Sequence, residues 1–347
     1  MHPPTPHPAP ATATPARDRP VVTLREVAER AGVSMITVSR AINTPHQVSE
    51  RTRVRVQEAV SAMGYVPNLV AGGLRSSRSH VVTALVPTLT GPLFGEMVHA
   101  LTEALELRGF QVMLGQVGYA RSREDELLRA IVGRRPDGIV LTGIMHSPQG
   151  RSMLLASGIP IVETWDFSTT PIDMLVGLRH EELGAAVCEH LHAKGRRRLA
   201  LLSGGDERAA RRCAGFEAAA QRLGLCAPTI RLGKSPTTHA DGRSGLAALL
   251  AEQPDIDAVF CSSDMLALGV LTEARVRGIA VPQQLAVIGF GDIEFSQTVS
   301  PSLTTVRIDG TRMGQTAAHL IADRAEGKTV ACPVVDIGFS IIPRESA

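Results

Sequence analysis

The sequence predicts an all-α helix-turn-helix headpiece followed by an α/β core of two doubly wound parallel sheets. Three observations carry this. Residues 23–43, TLREVAERAGVSMITVSRAIN, read as two short amphipathic helices joined by a glycine turn. From His80 onward, short apolar strands alternate with amphipathic helices, which is the rhythm of a parallel sheet. That rhythm occurs twice, with DGIVLTG echoed by DAVFCSS, so two similar halves with a cleft between them are expected. In such sheets ligands sit beyond the carboxyl ends of the strands.

The first helix runs from Leu24 to Ala31 and stops at Gly32. Ser34 is positioned to cap the second helix. Its first turns would turn Met35, Ile36, Thr37, Ser39 and Arg40 outward, while Val38 and Ile42, four apart, face inward. After a loop ending in Gln47, Ser49 can cap a third helix carrying Val56, Ala59, Val60 and Met63 on one face. The second helix of such a pair is the one that enters a DNA major groove. A three-helix module that binds protein is the plainer alternative.

Charge favours DNA. Between Val21 and Arg78 there are eight arginines and four glutamates, a net charge of +4. Residues 1–20 add +1, and the whole chain is +2, so residues 79–347 carry −3. Positive charge thus sits where phosphates would be neutralised. With one Trp and two Tyr in the chain, a base-stacking platform for single strands is not expected.

Residues 1–20 are rich in Pro, Ala and Thr, and a disordered tail is expected there. They lack the apolar run of a secretory signal, and no run of eighteen apolar residues follows, so no membrane partner is expected. Five cysteines, an odd number with no C-x-x-C, suit reduced thiols in a cytoplasmic protein. The histidines read as surface or pocket residues; neither metal nor cofactor is expected.

Along the core, strands are expected at VVTALVP (81–87), FQVMLGQV, DGIVLTG and IPIVETWD, then at RLALLSG, DAVFCSS and LAVIGFGD. Helices are expected at PLFGEMVHALTEALELRG, SREDELLRAIVG, DERAARRCAGFEAAAQRLG, DGRSGLAALLAEQ and DMLALGVLTEARVRG.

The order VTLREVAERAGVSMITVSR, then VS-x-x-TR, then GY-x-PN-x-x-A-x-x-L resembles the headpiece and hinge of the lactose/galactose repressor family of bacterial transcription regulators. The resemblance continues through RCAGFEAA, SSDMLALGVL and PSLTTVRIDGTRMGQTAAHLI. It implies a two-lobed, periplasmic-binding-protein-like core. It also implies a homodimer, a pseudo-palindromic DNA operator and a small-molecule effector. The implied organisation is a tail at 1–20, a headpiece at 21–66, a hinge at 67–79 and a core at 80–347. Within the core, the first lobe covers about 80–177 and 307–332 and the second about 178–306 and 333–345. The chain would cross between them near 176–180, 304–308 and 332–336.

Carried over residue by residue, the DNA-contacting positions are Thr23, Ser34, Met35, Ile36, Thr37, Ser39, Arg40 and Gln47, with Asn68, Ala71 and Leu74 in the hinge. Relatives fold that hinge on the operator and wedge its leucine into the minor groove, which bends the duplex. Gly72 and Gly73 raise the cost of a hinge helix by roughly 1 kcal/mol each relative to alanine, so its folding should depend on DNA. Met35 and Ile36 can touch thymine methyls but cannot form bidentate hydrogen bonds to bases.

For the effector, the resemblance points to Leu93, Phe94, Tyr119, Thr164, Trp165, Arg212, Ser263, Asp264 and Asp292. ETWD (163–166), TPIDMLVG and GFGDIEFSQ are similar to the gluconate-utilisation repressor branch, which implies a sugar acid such as gluconate, a ketogluconate or a phosphorylated form. Arg208, Arg211, Arg212 and His180 offer cationic or donor groups for a carboxylate. Arg208 and Arg211 also read as solvated helix charges, Phe94 and Trp165 as ordinary core, and Asp264 as a helix cap. Gly291 stands where many relatives carry an aspartate that binds sugar hydroxyls. A sugar or purine-type effector therefore stays open. So do an enzyme using Asp264 and Asp292 as acid and base, and a solute-binding protein of the same fold. The absence of Walker, G-x-S-x-G and H-E-x-x-H motifs argues against an enzyme.

Overall fold

The computed structural model describes residues 22–66, 78–89, 93–118, 121–144 and 147–347. The expected tail, the hinge positions Asn68, Ala71 and Leu74, and Tyr119 lie outside the described residues. The chain divides after Ser77 into two compact units.

The first unit holds helices α1 (Leu24–Ala31), α2 (Met35–Asn43) and α3 (Glu50–Met63). Local sequence sets each boundary. Thr23 and Glu26 form a reciprocal capping box at the start of α1, and Ser34 and Ser49 cap α2 and α3 through the amides of Thr37 and Thr52. Gly32 and Gly64 close α1 and α3 at φ 61 and 62, a left-handed conformation that a side chain disfavours. Val27, Ala28, Ala31, Val38, Ala41, Val56 and Ala59 form the buried centre.

The second unit contains two six-stranded sheets. The first is built from β1 (Val81–Val86), β2 (Gln111–Gln116), β3 (Gly138–Thr142), β4 (Ile161–Thr164), β5 (Met174–Gly177) and β11 (Val334–Asp336). Its order is β11-β5-β4-β3-β1-β2, all parallel. Its helices are α4 (Gly95–Glu106), α5 (Arg121–Val132), α6 (Pro148–Ser157) and α11 (Gly310–Ala325).

The second sheet contains β6 (Leu199–Gly204), β7 (Thr229–Gly233), β8 (Ala258–Cys261), β9 (Ala286–Phe290), β10 (Thr304–Arg307) and β12 (Ser340–Ile342). Its order is β12-β10-β9-β8-β6-β7, with only β12 antiparallel. Its helices are α7 (His180–Ala193), α8 (Glu207–Arg222), α9 (His239–Glu252) and α10 (Asp264–Val276). Nearly continuous apolar strands, buried along their length in β1, β4, β5, β6, β8 and β9, are what a parallel sheet covered on both faces requires.

The topology corrects one expected boundary. Strand β11 pairs with β5 of the first sheet and only β12 joins the second, so the third crossing falls at 337–339 and not at 332–336. Residues 334–336 therefore belong to the first lobe. The first two crossings fall at 178–179 and 308–309, between β5 and α7 and between β10 and α11. Helix α6 and strand β5, not separately expected, complete the first lobe.

Close helix packing fixes the walls of the cleft. A Cβ at Gly184 on α7 would collide with the Arg212 carbonyl on α8, and one at Gly215 on α8 with the Glu181 carbonyl on α7. Both glycines let these backbones meet, which locks His180 and Arg212 in a common frame. All five cysteines are unpaired; Cys188, Cys213 and Cys261 are buried.

Candidate functional site

Two surfaces carry chemistry, one in each unit. On the headpiece, Met35 and Ile36 open α2 at 51% and 63% exposure, although both are large and apolar. Neither belongs to the buried centre of the headpiece, so both side chains are available for contact. Arg40 and Gln47 are exposed beside them. Ser34 and Thr37 share a hydroxyl hydrogen bond of 2.9 Å while Ser34 caps the helix. Asn43 donates to the carbonyl and hydroxyl of Ser39 at 3.0 and 3.3 Å. Thr23 is committed to its capping box, with its amide and hydroxyl 2.6 and 2.9 Å from Glu26 Oε2.

The three arginines of α3 divide their work. Arg53 pairs with Glu50, and Arg55 donates to the carbonyls of Ala31 and Gly32 at the turn, whereas Arg51 is exposed. Arg55 thus satisfies carbonyls at the C-terminus of α1, where a cation is also favoured by the helix dipole.

The second surface is a cavity between the two sheets of the core. The first lobe contributes Thr88, Leu93, Phe94 and Trp165. The second contributes Asp206, Arg208, Arg212, the loop Ser235–Thr237, and Ser263 and Asp264 at the start of α10. His180, Phe290 and Ile293 also line it. Phe94 and Trp165 meet edge to face, ring centroids 5.2 Å apart at 84°, forming an apolar wall. Opposite stand two guanidinium groups. Arg212 lies over the Phe290 ring at 4.5 Å and Arg208 over Phe94 at 5.4 Å.

Leu93, Phe94, Trp165, Arg212, Ser263 and Asp264 therefore line one cavity. Phe94 and Trp165 are both core and cavity wall, buried yet lining it.

Two expected residues are placed elsewhere. Thr164 is fully buried in β4, its hydroxyl donating to the Leu141 carbonyl at 2.8 Å. Asp292 does not line the cavity; Arg344 donates to its carboxylate at 2.6 Å and Arg307 lies 3.8 Å away. Its partner is fifty-two residues along the chain, a pairing no local pattern announces. Arg211 turns to Asp166 as an ion pair and does not reach the cavity, while Arg208, which also read as a solvated charge, does.

Asp264 lines the cavity but is fully engaged. Thr305 donates to one carboxylate oxygen at 2.6 Å, and Ser296 and the Ile293 amide donate to the other at 2.9 and 3.0 Å. Burial raises its pKa against these three hydrogen bonds. Its geometry ties α10 to β10 and the turn after β9. Ser263 caps α10 through the Leu266 amide and shares a 2.9 Å hydrogen bond with Thr237.

Asp206, Ser235 and Thr237 were not anticipated. Asp206 caps α8 through the Ala209 amide at 3.1 Å and accepts from Ser235 at 3.0 Å. Burial opposes its ionisation, yet the charges of Arg212 and Arg208, with these hydrogen bonds, hold its pKa below the ordinary value. The D-E-R sequence after β6 was a legible capping signal; the Ser235–Thr237 loop had none.

Burial lowers the pKa of Arg212 to about 10, against the attraction of Asp206, so it is still a cation at neutral pH. Its Nε and the Nη1 of Arg208 are buried and meet no hydrogen-bond acceptor of the protein. His180 is not free to serve a ligand. Its Nε2 donates to the Trp165 carbonyl at 2.8 Å, and its Nδ1 accepts from Arg212 at 3.2 Å. Burial first, then the charge of Arg212, hold its pKa well below the ordinary 6.5.

A helix-turn-helix with an exposed recognition helix, followed by a two-lobed α/β core with a polar cleft, defines a ligand-responsive DNA-binding regulator. The chain belongs to the lacI family of bacterial regulatory proteins, whose family pattern matches residues 23–68, while residues 188–347 match a periplasmic binding protein-like domain. It is 39% identical over 326 residues to the HTH-type transcriptional regulator GntR of Pseudomonas aeruginosa, covering 93% of this chain and 95% of that protein. The crystal structure of a LacI-family transcriptional regulator from Silicibacter pomeroyi superposes with a TM-score of 0.89 at 32% identity, over 94% of this chain and 99% of that one. The lac repressor dimer bound to operator and the anti-inducer ONPF gives a TM-score of 0.81 at 26% identity, over 94% and 98%. These relatives are regulators and not enzymes, and this chain is a DNA-binding transcriptional regulator of the same kind. Among the described residues no helix is long and apolar enough to cross a membrane.

Proposed function

We propose that this regulator is a cytoplasmic repressor that binds a pseudo-palindromic operator as a homodimer and is controlled by a small sugar acid held in the cleft. The headpiece reads the major groove through Met35, Ile36, Ser39, Arg40 and Gln47, and Asn68, Ala71 and Leu74 engage the minor groove as a hinge. Two-fold symmetry of the protein matches two half-sites.

One observation carries the effector assignment. Arg208 Nη1 and Arg212 Nε are cationic donors, buried, without an acceptor in the protein. A buried donor left unsatisfied is costly, and a charged one more so. A carboxylate supplies acceptor and countercharge together. Asp206, Ser235, Thr237 and Ser263 are suited to the hydroxyls of a polyol, and the Phe94/Trp165 wall to its carbon face. A neutral sugar or a purine-type effector leaves the two guanidinium groups sharing the charge of Asp206.

Control follows from a difference in effector affinity between two lobe arrangements, because a ligand shifts an equilibrium only by that difference. Calorimetric titration with gluconate, ketogluconates, phosphogluconate and neutral hexoses tests the assignment. Saturable binding of an acid and not of the hexoses is the expected result; binding of hexoses alone would reject it.

A further inference from the structure

His180 sits at the first turn of α7, directly after the first crossing between lobes, and is 1% exposed. A carbonyl oxygen can only accept, so the 2.8 Å contact with Trp165 requires a proton on Nε2. An arginine can only donate, so the 3.2 Å contact with Arg212 requires a lone pair on Nδ1. The two neighbours therefore select one species: the neutral imidazole protonated on Nε2. Arg212 lies on α8 of the second lobe, whereas Trp165 follows β4 of the first.

The residue it grips is strained. Trp165 has φ 64, which is uncommon for a bulky side chain and persists only where its surroundings hold it. Those surroundings are visible. Its indole Nε1 donates to the Met97 sulfur at 3.1 Å, its ring meets Phe94, and Arg211 of α8 pairs with the next residue, Asp166. The second lobe thus holds this corner of the first at two points, the Trp165 carbonyl and the Asp166 carboxylate.

We infer that His180 is a positioning residue that couples the lobes: one imidazole aims Arg212 into the cleft and anchors the Trp165 corner, so a ligand drawing on Arg212 is felt by the opposite wall. Its coupling role rests on the effector reading; its tautomer and contacts do not. The charged groups around it are Arg208, Arg211 and Arg212, with Asp166 and Asp206 beyond them. Three neighbouring cations oppose a second proton on the ring.

Two variants separate this role from mere packing. His180→Gln keeps one donor and one acceptor at the end of a side chain of similar reach. His180→Leu fills the space and removes both. The first measurement needs no effector: nitrogen NMR of the full-length protein labelled at histidine, with the His180 signal assigned by its loss in His180→Gln. A neutral ring protonated on Nε2, unchanged between pH 5.5 and 8, is expected, and Arg212→Ala should shift its Nδ1 signal. A ring protonated on Nδ1, or one titrating near 6.5, overturns the inference.

The second measurement is gluconate affinity, read by Trp165 emission and by calorimetry. His180→Leu should weaken it about tenfold or more and suppress the emission change, with His180→Gln recovering most of both. Wild-type-like affinity and emission response in a folded His180→Leu overturns the coupling. If His180→Leu does not fold, the labelled wild type decides: saturating gluconate should shift the His180 ring-nitrogen signals, and ring signals that do not move while gluconate binds overturn the coupling. Failure of the wild type to bind gluconate, the ketogluconates and phosphogluconate rejects the effector reading, and the NMR result then decides the positioning role by itself.

Discussion

The guanidinium of Arg212 lies over Phe290, its Cζ 4.5 Å from the ring centroid, and donates to His180 Nδ1 at 3.2 Å. The ring contact and the hydrogen bond together hold it in place and leave Nε without a protein acceptor. Preorganised in this way, an arginine loses little side-chain freedom when it takes up a carboxylate.

Arg212→Ala should reduce gluconate affinity by roughly tenfold to a hundredfold, the range of one or two charge-assisted hydrogen bonds. Calorimetry gives the affinity, and far-ultraviolet circular dichroism should show the fold retained. Undiminished affinity would remove Arg212 from the site.

Arg40 is exposed on the recognition helix and far in sequence from the cleft residues. Arg40→Ala should weaken specific operator binding by about tenfold or more while leaving gluconate affinity unchanged. Fluorescence anisotropy on operator DNA at fixed salt measures this. Equal operator affinity would place Arg40 off the DNA surface.

Gly215 lies where α8 meets the Glu181 carbonyl of α7. Gly215→Ala favours helix propensity but forces the two backbones apart. Overpacking of this kind costs about 1–3 kcal/mol or more, which outweighs the propensity gain of about 1 kcal/mol. Thermal denaturation should therefore show a lowered midpoint. An unchanged or raised midpoint would mean that the helices separate freely.

Acid should destabilise the core through His180. Its folded pKa is depressed, by burial first and the Arg212 charge second, and in the unfolded chain it returns to about 6.5. Below that pH the unfolded state binds more protons, so stability is present above 6.5 and is lost as pH falls, by at most about 1.4 kcal/mol per pH unit for one group. His190, lowered by burial and then by Lys194, adds in the same sense. Denaturation between pH 7.5 and 5.5 should show this slope, reduced in His180→Gln. A slope identical in both proteins would exclude His180 as its source.

Much of the headpiece was legible because its determinants are local. Ser34 and Ser49 are caps, Gly32 is a stop, and Val38 and Val56 follow helical spacing. Strands β1, β2, β3, β4, β6, β8 and β9 of the core were legible for the same reason. The cleft was legible only in part. Phe94, Trp165 and Arg212 fall at motif positions and do meet there. Asp292 and Thr164 fall at similar positions and do not, because Arg344 claims one and the Leu141 carbonyl the other. Asp206 and Ser235 meet each other across twenty-nine residues, and β11 chooses its sheet by pairing with β5, both being contacts between segments that no single segment encodes.

The most direct test of the anion-binding cleft uses the only tryptophan, which lines it. Emission from Trp165 should change saturably as gluconate or a related sugar acid is added, should not respond to neutral hexoses, and should lose its response in Arg212→Ala. A response to neutral hexoses that survives Arg212→Ala, or silence toward every acid with no heat of binding, would contradict the account.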